Sequence, residues 1–261
     1  GNNETAFDDQ HGFDTFHYVE PTTWWMSMDP SLPRTMDAAE AEARRLAEAG
    51  NRHALAFQTS AFHDENGRPT ARLLDTPWCN GAVWSINTMP GIAGDVTGFN
   101  LHWNETYRNA HYGPDRKAEL DGEYFDSCGG YVTAELDYRR DHFAAAKTPL
   151  TFSMDERRPA IYKGCILFEQ IEAVADDIHA LGKLTMGNGV PGAFCWLVGL
   201  IDVMGTETNW HRDGRWQPMS DEQMIYRRAL AGGKPYCFLM NTVFEDLNED
   251  LVERYMKRSL A

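Results

Sequence analysis

The chain is short of positive charge, of paired cysteines and of long apolar runs, and each shortage closes off a class of function. Lys and Arg number 24 against 39 Asp and Glu, which leaves a formal charge of −15. Nucleic-acid binding depends on many Lys and Arg contacts to phosphate, so this balance argues against nucleic acid and equally against an anionic membrane surface. The five cysteines, Cys79, Cys128, Cys165, Cys195 and Cys237, form no CxxC pair. An odd set without that spacing is neither a disulfide framework nor a zinc cluster, and it reads as buried free thiols. No apolar run approaches the ~18 residues that a membrane span needs, and the first residues lack the pattern of a signal peptide. Since the chain opens at Gly1-Asn2-Asn3 and stops inside a helical pattern, it reads as an excerpt of a longer protein, and its location stays open. Neither a GxGxxG nor a GxxxxGK[ST] loop is present, no GxSxG elbow surrounds Ser127, and the nine histidines show no HxH or HExxH spacing. No cofactor is therefore expected. A metal would need long-range assembly, with His102 near Glu105 the best ligand candidate.

What is there is ordinary globular material, 261 residues with 43% hydrophobic and 24% charged, enough for one large core. The eight Trp are a high count. Indole faces suit the flat apolar faces of sugars, although Trp more often fills core or interface space. Residues 1–14 read as a polar arm or loop. The pattern then predicts a strand at 16–20, a helix from Met36 to Gly50 and a strand at 53–59. A long excursion over about 60–104 follows, carrying Trp78, Trp84 and Trp103; it reads as an elaborated substrate loop with room for a small hairpin or short helix. Beyond it come a helix within 105–120, a strand at 122–126, a helix over about 137–146 and the clearest helix of the chain, 162–181. Strands at 183–186, 201–207 and 235–240 alternate with helices capped by Ser220 and Asn248. This alternation of short apolar strands with helices predicts a (β/α)8 TIM barrel forming a single domain, with a doubly wound open sheet as the competing architecture.

The pattern is organised around Asp121-Gly122-Glu123-Tyr124-Phe125-Asp126-Ser127, a strand that ends in a carboxylate before a glycine-rich loop. Alternation puts Tyr124 and Asp126 on one face. Catalytic groups of α/β barrels sit at the carboxyl ends of strands. Strand ends here supply Glu20, Asp126, Asn188, Glu207 and Asn241, with Trp24, Trp25, Trp84, Trp103, Asn209 and Trp210 in adjoining segments and His102 able to lie over a substrate. Two carboxylates facing one cleft can divide nucleophile and acid/base duties, while aromatic platforms and Asn donors hold a sugar ring. The structural alternatives are that Asp126 only caps its turn, and that Glu207 only bonds loop amides or Arg212.

The 121–127 stretch resembles a family of uncharacterised bacterial glycoside-hydrolase-like proteins, together with Met204-Gly205-Thr206-Glu207-Thr208-Asn209-Trp210 and Tyr226-Arg227-Arg228-Ala229-Leu230 followed by Lys234-Pro235-Tyr236. More remotely, the layout is similar to the retaining α-glycosidase superfamily of (β/α)8 barrels, which includes α-galactosidases, α-glucosidases and endo-α-N-acetylgalactosaminidases. The resemblance implies a nucleophilic Asp at the end of the fourth strand, matched by Asp126, and an acid/base on a later strand end, matched by Glu207 in a drier setting. With 16–20 as the second strand, 122–126 becomes the fourth and 201–207 the sixth. The superfamily's acid is often Asp rather than Glu, and no substrate-pocket motif is recognisable, so the sugar is left open. The expectation is a retaining glycoside hydrolase acting on an oligo- or polysaccharide. Its rivals are a non-catalytic carbohydrate-binding barrel and a metal-dependent hydrolase on the same scaffold.

Overall fold

The computed structural model describes residues 2–77, 79–116, 119–129 and 133–260. Short apolar runs pair into one parallel sheet of five strands: Phe16–Val19, Gly122–Phe125, Leu184–Asn188, Val203–Thr208 and Tyr236–Met240. They are hydrogen-bonded in that order, each neighbouring pair parallel. Val19, Phe125, Gly187, Met204 and Tyr236 fall in one row across the sheet. Spatial order equals chain order, without the reversal that defines a doubly wound sheet. Among the described residues Phe16–Val19 and Tyr236–Met240 are the two edges, so the molecule is mixed α/β around an open parallel sheet.

The Lys163–Ala180 helix covers one face of this sheet. Its Leu167, Ile171, Val174 and Ile178 are fully buried against Phe125, Val190 and Met204. Each such side chain is worth about 1.5–3 kcal/mol of burial. The helix stops at Leu181 because Gly182 adopts φ +71°, a conformation that costs other residues a Cβ clash.

The 60–104 excursion is a second packed unit rather than a loop. Thr23–Ser27, Cys79–Ser85 and Ala71–Thr76 form an antiparallel sheet, with the 79–85 strand in the centre. Its inner face packs through Trp24, Met26 and Trp84 on the helices Met36–Glu48 and Arg52–Ser60. The hairpin expected inside the excursion is thus its 71–85 segment.

The structure corrects four expectations. Residues 53–59 are helical: Asn51 accepts a hydrogen bond from the Ala54 amide at 3.0 Å, and Ala54 and Phe57 send a helical stripe into that core. The alanine-rich composition and the cap outweigh the apparent alternation there. Because 53–59 is no strand, Phe16–Val19 pairs directly with Gly122–Phe125. If 122–125 is counted as the fourth strand of a barrel, 16–19 is therefore the third and not the second. Residues 2–11 are helical rather than an arm, and 137–146 holds only a 3-10 turn at Arg140–Ala145. Trp78 and Gly130 lie outside the described residues. Among those residues no helix is long and apolar enough to cross a membrane.

A buried polar knot fastens the excursion to the rest of the chain. His142 Nδ1 stands 2.6 Å from Asp137 Oδ2, and its Nε2 lies 2.8 Å from the Thr59 carbonyl. Asn87 donates to Asp137 Oδ2 at 2.9 Å, while the amides of His63 and Arg139 donate to Oδ1. Asp137 is wholly buried and His142 almost so. Removing one partner of a buried pair strands the other. Asp137→Ala is therefore expected to lower unfolding free energy by about 3–5 kcal/mol in urea denaturation, and a loss below about 1 kcal/mol would contradict this account.

Candidate active site

The acids and asparagines of the site come from residues at, or just past, the carboxyl ends of parallel strands. The Asp126 amide still donates to Val19 O at 2.8 Å and the Asn241 amide to Thr208 O at 2.7 Å, so the ladder fixes both residues at the rim. Beyond Asp126 the chain turns sharply: Ser127 sits at φ +53°, left-handed for a residue that is not glycine. That turn aims the Ser127 amide at Asp126 Oδ1, 2.7 Å away.

Asp126 collects further donors from its neighbours. The Tyr18 hydroxyl donates to Oδ2 at 2.7 Å, and the Tyr124 hydroxyl approaches Oδ1 at 3.4 Å. Burial raises the pKa of both phenols, and the adjacent Asp126 charge adds to it, so they remain donors. The decisive contact is Asn188. Its amide nitrogen donates to Asp126 Oδ1 at 2.6 Å and to Glu207 Oε1 at 3.1 Å. Both acceptor oxygens lie within hydrogen-bond reach of one nitrogen, so they stand no more than about 5.7 Å from each other. Asn241 completes the arrangement, donating to Glu207 Oε2 at 2.8 Å.

The two acids open onto one cleft of about 620 Å³, lined also by Tyr18, Glu20, Trp25 and Asn188. Three carboxylates face it, and no Lys or Arg does among the described residues. Burial raises the pKa of Glu20 and the Asp126 charge adds to this, against hydrogen bonds from Trp25 and Ser127. The Trp25 indole donates to Glu20 Oε2 at 2.6 Å. Glu207, expected in a drier setting, is instead exposed at the rim, and Glu20 is the more enclosed acid. Glu207 also lines a smaller hollow of about 280 Å³ with Asn209, Trp210 and Arg212.

Several residues expected at the site are elsewhere. Trp24 and Trp84 pair across the antiparallel sheet and close on Phe57, at ring distances of 5.8 and 4.6 Å, inside the core of the excursion. Trp103 is buried too, its indole donating to Asp177 at 2.8 Å, so it seals a helix contact and offers no platform. His102 packs 5.7 Å from the His53 ring, where burial pulls its pKa down to about 4. Trp210 turns its ring inward onto Tyr255 at 5.2 Å and is only 3% exposed. Among the described residues no three His, Cys, Asp or Glu side chains converge as a metal ion would require. Tyr18, Ser127 and Thr206 line the cleft without having been singled out. Strand alternation around Glu20 was the signal for Tyr18, which shares its face.

No protein-family model and no curated protein matches the chain. Among solved structures, it is similar to a variant of the glycoside hydrolase domain of PelA from Pseudomonas aeruginosa, with a TM-score of 0.37 and 12% identity over 90% of this chain and 70% of that one. A likeness at that level carries no argument, and the chemistry of the cleft has to come from its own residues.

The raised pKa of Glu20 has a thermodynamic consequence. The folded protein keeps this proton at pH values where the unfolded chain has released it. The stability tied to it is full below the ordinary glutamate range and is lost as pH climbs through the raised value. Glu20→Gln removes that loss. Its stability relative to the native chain should grow across this window in urea unfolding at a series of pH values, and a difference flat with pH would overturn the assignment.

Proposed function

We propose that the chain is a glycoside hydrolase that cleaves by a carboxylate pair, Asp126 and Glu207, with retention of configuration. One observation carries this: a single Asn188 amide holds both acids over one open cleft. Retaining pairs stand ~5–5.5 Å apart and inverting pairs ~6.5–9.5 Å, and the spacing that a shared amide imposes favours the first. The sheet supports reading the scaffold as part of a (β/α)8 barrel, because its strands follow one another in chain order and carry the polar residues at their carboxyl ends.

In the first step Asp126 attacks the anomeric carbon while the glycosidic C–O bond breaks and the leaving oxygen takes the proton of Glu207. In the second, Glu207 accepts a proton from water as the water oxygen attacks that carbon and releases Asp126. Tyr18, Ser127 and Asn188 hold Asp126 in line and stabilise its charge as it is released. Glu207 is exposed at the rim, so a sugar bound over it supplies the dry surroundings in which it works as an acid. The substrate is an oligo- or polysaccharide, and Trp25 beside Glu20 lines the cleft as an aromatic surface for the ring.

Asp126→Asn should cut turnover on a glycan panel by at least on the order of 10³-fold with little change in melting temperature. Turnover surviving that change removes the assignment, and a native chain that binds glycans without cutting any would make it a carbohydrate-binding protein. Proton NMR of the first-formed product should show the substrate's own anomeric configuration; the opposite anomer would mean inversion.

A further inference from the structure

Glu207 lines two hollows, the carboxylate-rich cleft and the hollow of about 280 Å³. An acid that protonates a glycosidic oxygen must stand between the two sugars that this oxygen joins. The chemistry of the two hollows differs in kind. Among the described residues the first presents Glu20 and Asp126 and no cation, whereas the second presents Asn209, Arg212, Gln217 and Gln223, and no acid apart from Glu207. With the Trp210 ring turned into the core, a sugar there would be held by hydrogen bonds rather than by stacking.

The wall of the second hollow is also built to stay in place. His211–Arg212 pairs with Arg215–Trp216 as a tight hairpin whose turn, Asp213 and Gly214, is left-handed at both positions. The Tyr255 hydroxyl accepts from the amides of Trp210 and His211 at 2.6 and 3.2 Å, and Trp216 meets the Tyr255 ring edge-on at 5.0 Å. Arg212 Nε donates to the Asn209 carbonyl at 3.0 Å, and Asn209 Oδ1 accepts from Thr242 at 3.3 Å, which leaves the Asn209 amide hydrogens outside that contact. Donors fixed before the ligand arrives lose little entropy when it binds.

We infer that this hollow is the leaving-group subsite, and that the substrate is a glycan of at least two sugars whose leaving sugar is recognised by Arg212, Gln217 and Gln223. The inference rests on the reading of Asp126 and Glu207 as the reacting pair, and it fixes the direction of the glycan: the sugar attacked by Asp126 lies on the carboxylate side, the departing one on the amide side.

The test compares Arg212→Ala and the double variant Gln217→Ala/Gln223→Ala with the native chain. All three side chains are exposed, so the variants should fold, and melting curves check this. The probes are 4-nitrophenyl hexosides and N-acetylhexosaminides of both anomers, beside oligosaccharides of two to six units of the same sugars. For oligosaccharides kcat/KM should fall roughly tenfold or more in each variant, the scale of one or two lost hydrogen bonds. Aryl glycosides, whose leaving group makes no such bonds, should stay within about twofold. Equal losses on both substrate kinds, no loss on either, or a native chain that cuts aryl glycosides and never oligosaccharides would each overturn the subsite while leaving the carboxylate pair standing. A native chain that cuts neither kind would overturn the pair, and the subsite with it.

Discussion

Two carboxylates that share one donor repel each other when both are ionised, by about 3 kcal/mol at about 5 Å and the effective dielectric of a protein surface. The site depends on offsetting that repulsion, and the Asn188 amide does so from the one position where a single NH2 group reaches both. Tyr18 and the Ser127 amide add donors to Asp126, and Asn241 adds one to Glu207. Hydrogen bonds to charged groups contribute about 1.5–3 kcal/mol each, enough to hold both acids in place. Glu20 faces the same cleft from a more enclosed position, and burial and the Asp126 charge push it toward its protonated form.

Those donors are positioned by backbone register. Gly122 lets the 122–125 strand approach its neighbour, since a Cβ there would stand 1.9 Å from the Leu184 carbonyl oxygen. Gly189, at φ +80°, lets the chain turn away directly after Asn188, so this side chain stays at the strand's end. Ser127 achieves a similar turn without glycine, in a conformation that costs of order 1–3 kcal/mol. The strained turn aims its amide at Asp126, and stability is given up where the geometry of a charged group demands it.

One sequence rule, a polar residue closing a short apolar strand, was enough to find Glu20, Asp126, Asn188, Glu207 and Asn241. It works because strand ends are defined locally. The indoles were not legible in the same way. Trp24 and Trp25 are adjacent on one strand, so alternation sends them to opposite faces, and only the packing of the 36–48 and 52–60 helices decides which of the two is core. The 53–59 segment offered both periods, and its helix was settled by a cap and an alanine stripe rather than by hydrophobicity. Pairing of 16–19 with 122–125 spans about a hundred residues, a contact that no local pattern encodes, and so the strand count slipped by one. Tyr18 was hidden for the same reason, because its meaning comes from Asp126 across that pairing.

The sheet and its connections divide the work. Asp126, Asn188 and Glu207 come from three adjacent parallel strands about 4.8 Å apart, so the two strands that carry the acids stand two spacings apart. The acids meet only through side chains that lean toward the strand between them, and a group on that strand has to bridge them. Asn188 occupies that middle strand. The walls come from elsewhere: Trp25 from the segment leading into the excursion, Arg212 and Gln217 from the hairpin pinned by Tyr255. On the proposed reading, reaction chemistry is tied to the rigid ladder, whereas the choice of sugar on either side of the bond is left to segments that can change without moving Asp126 or Glu207.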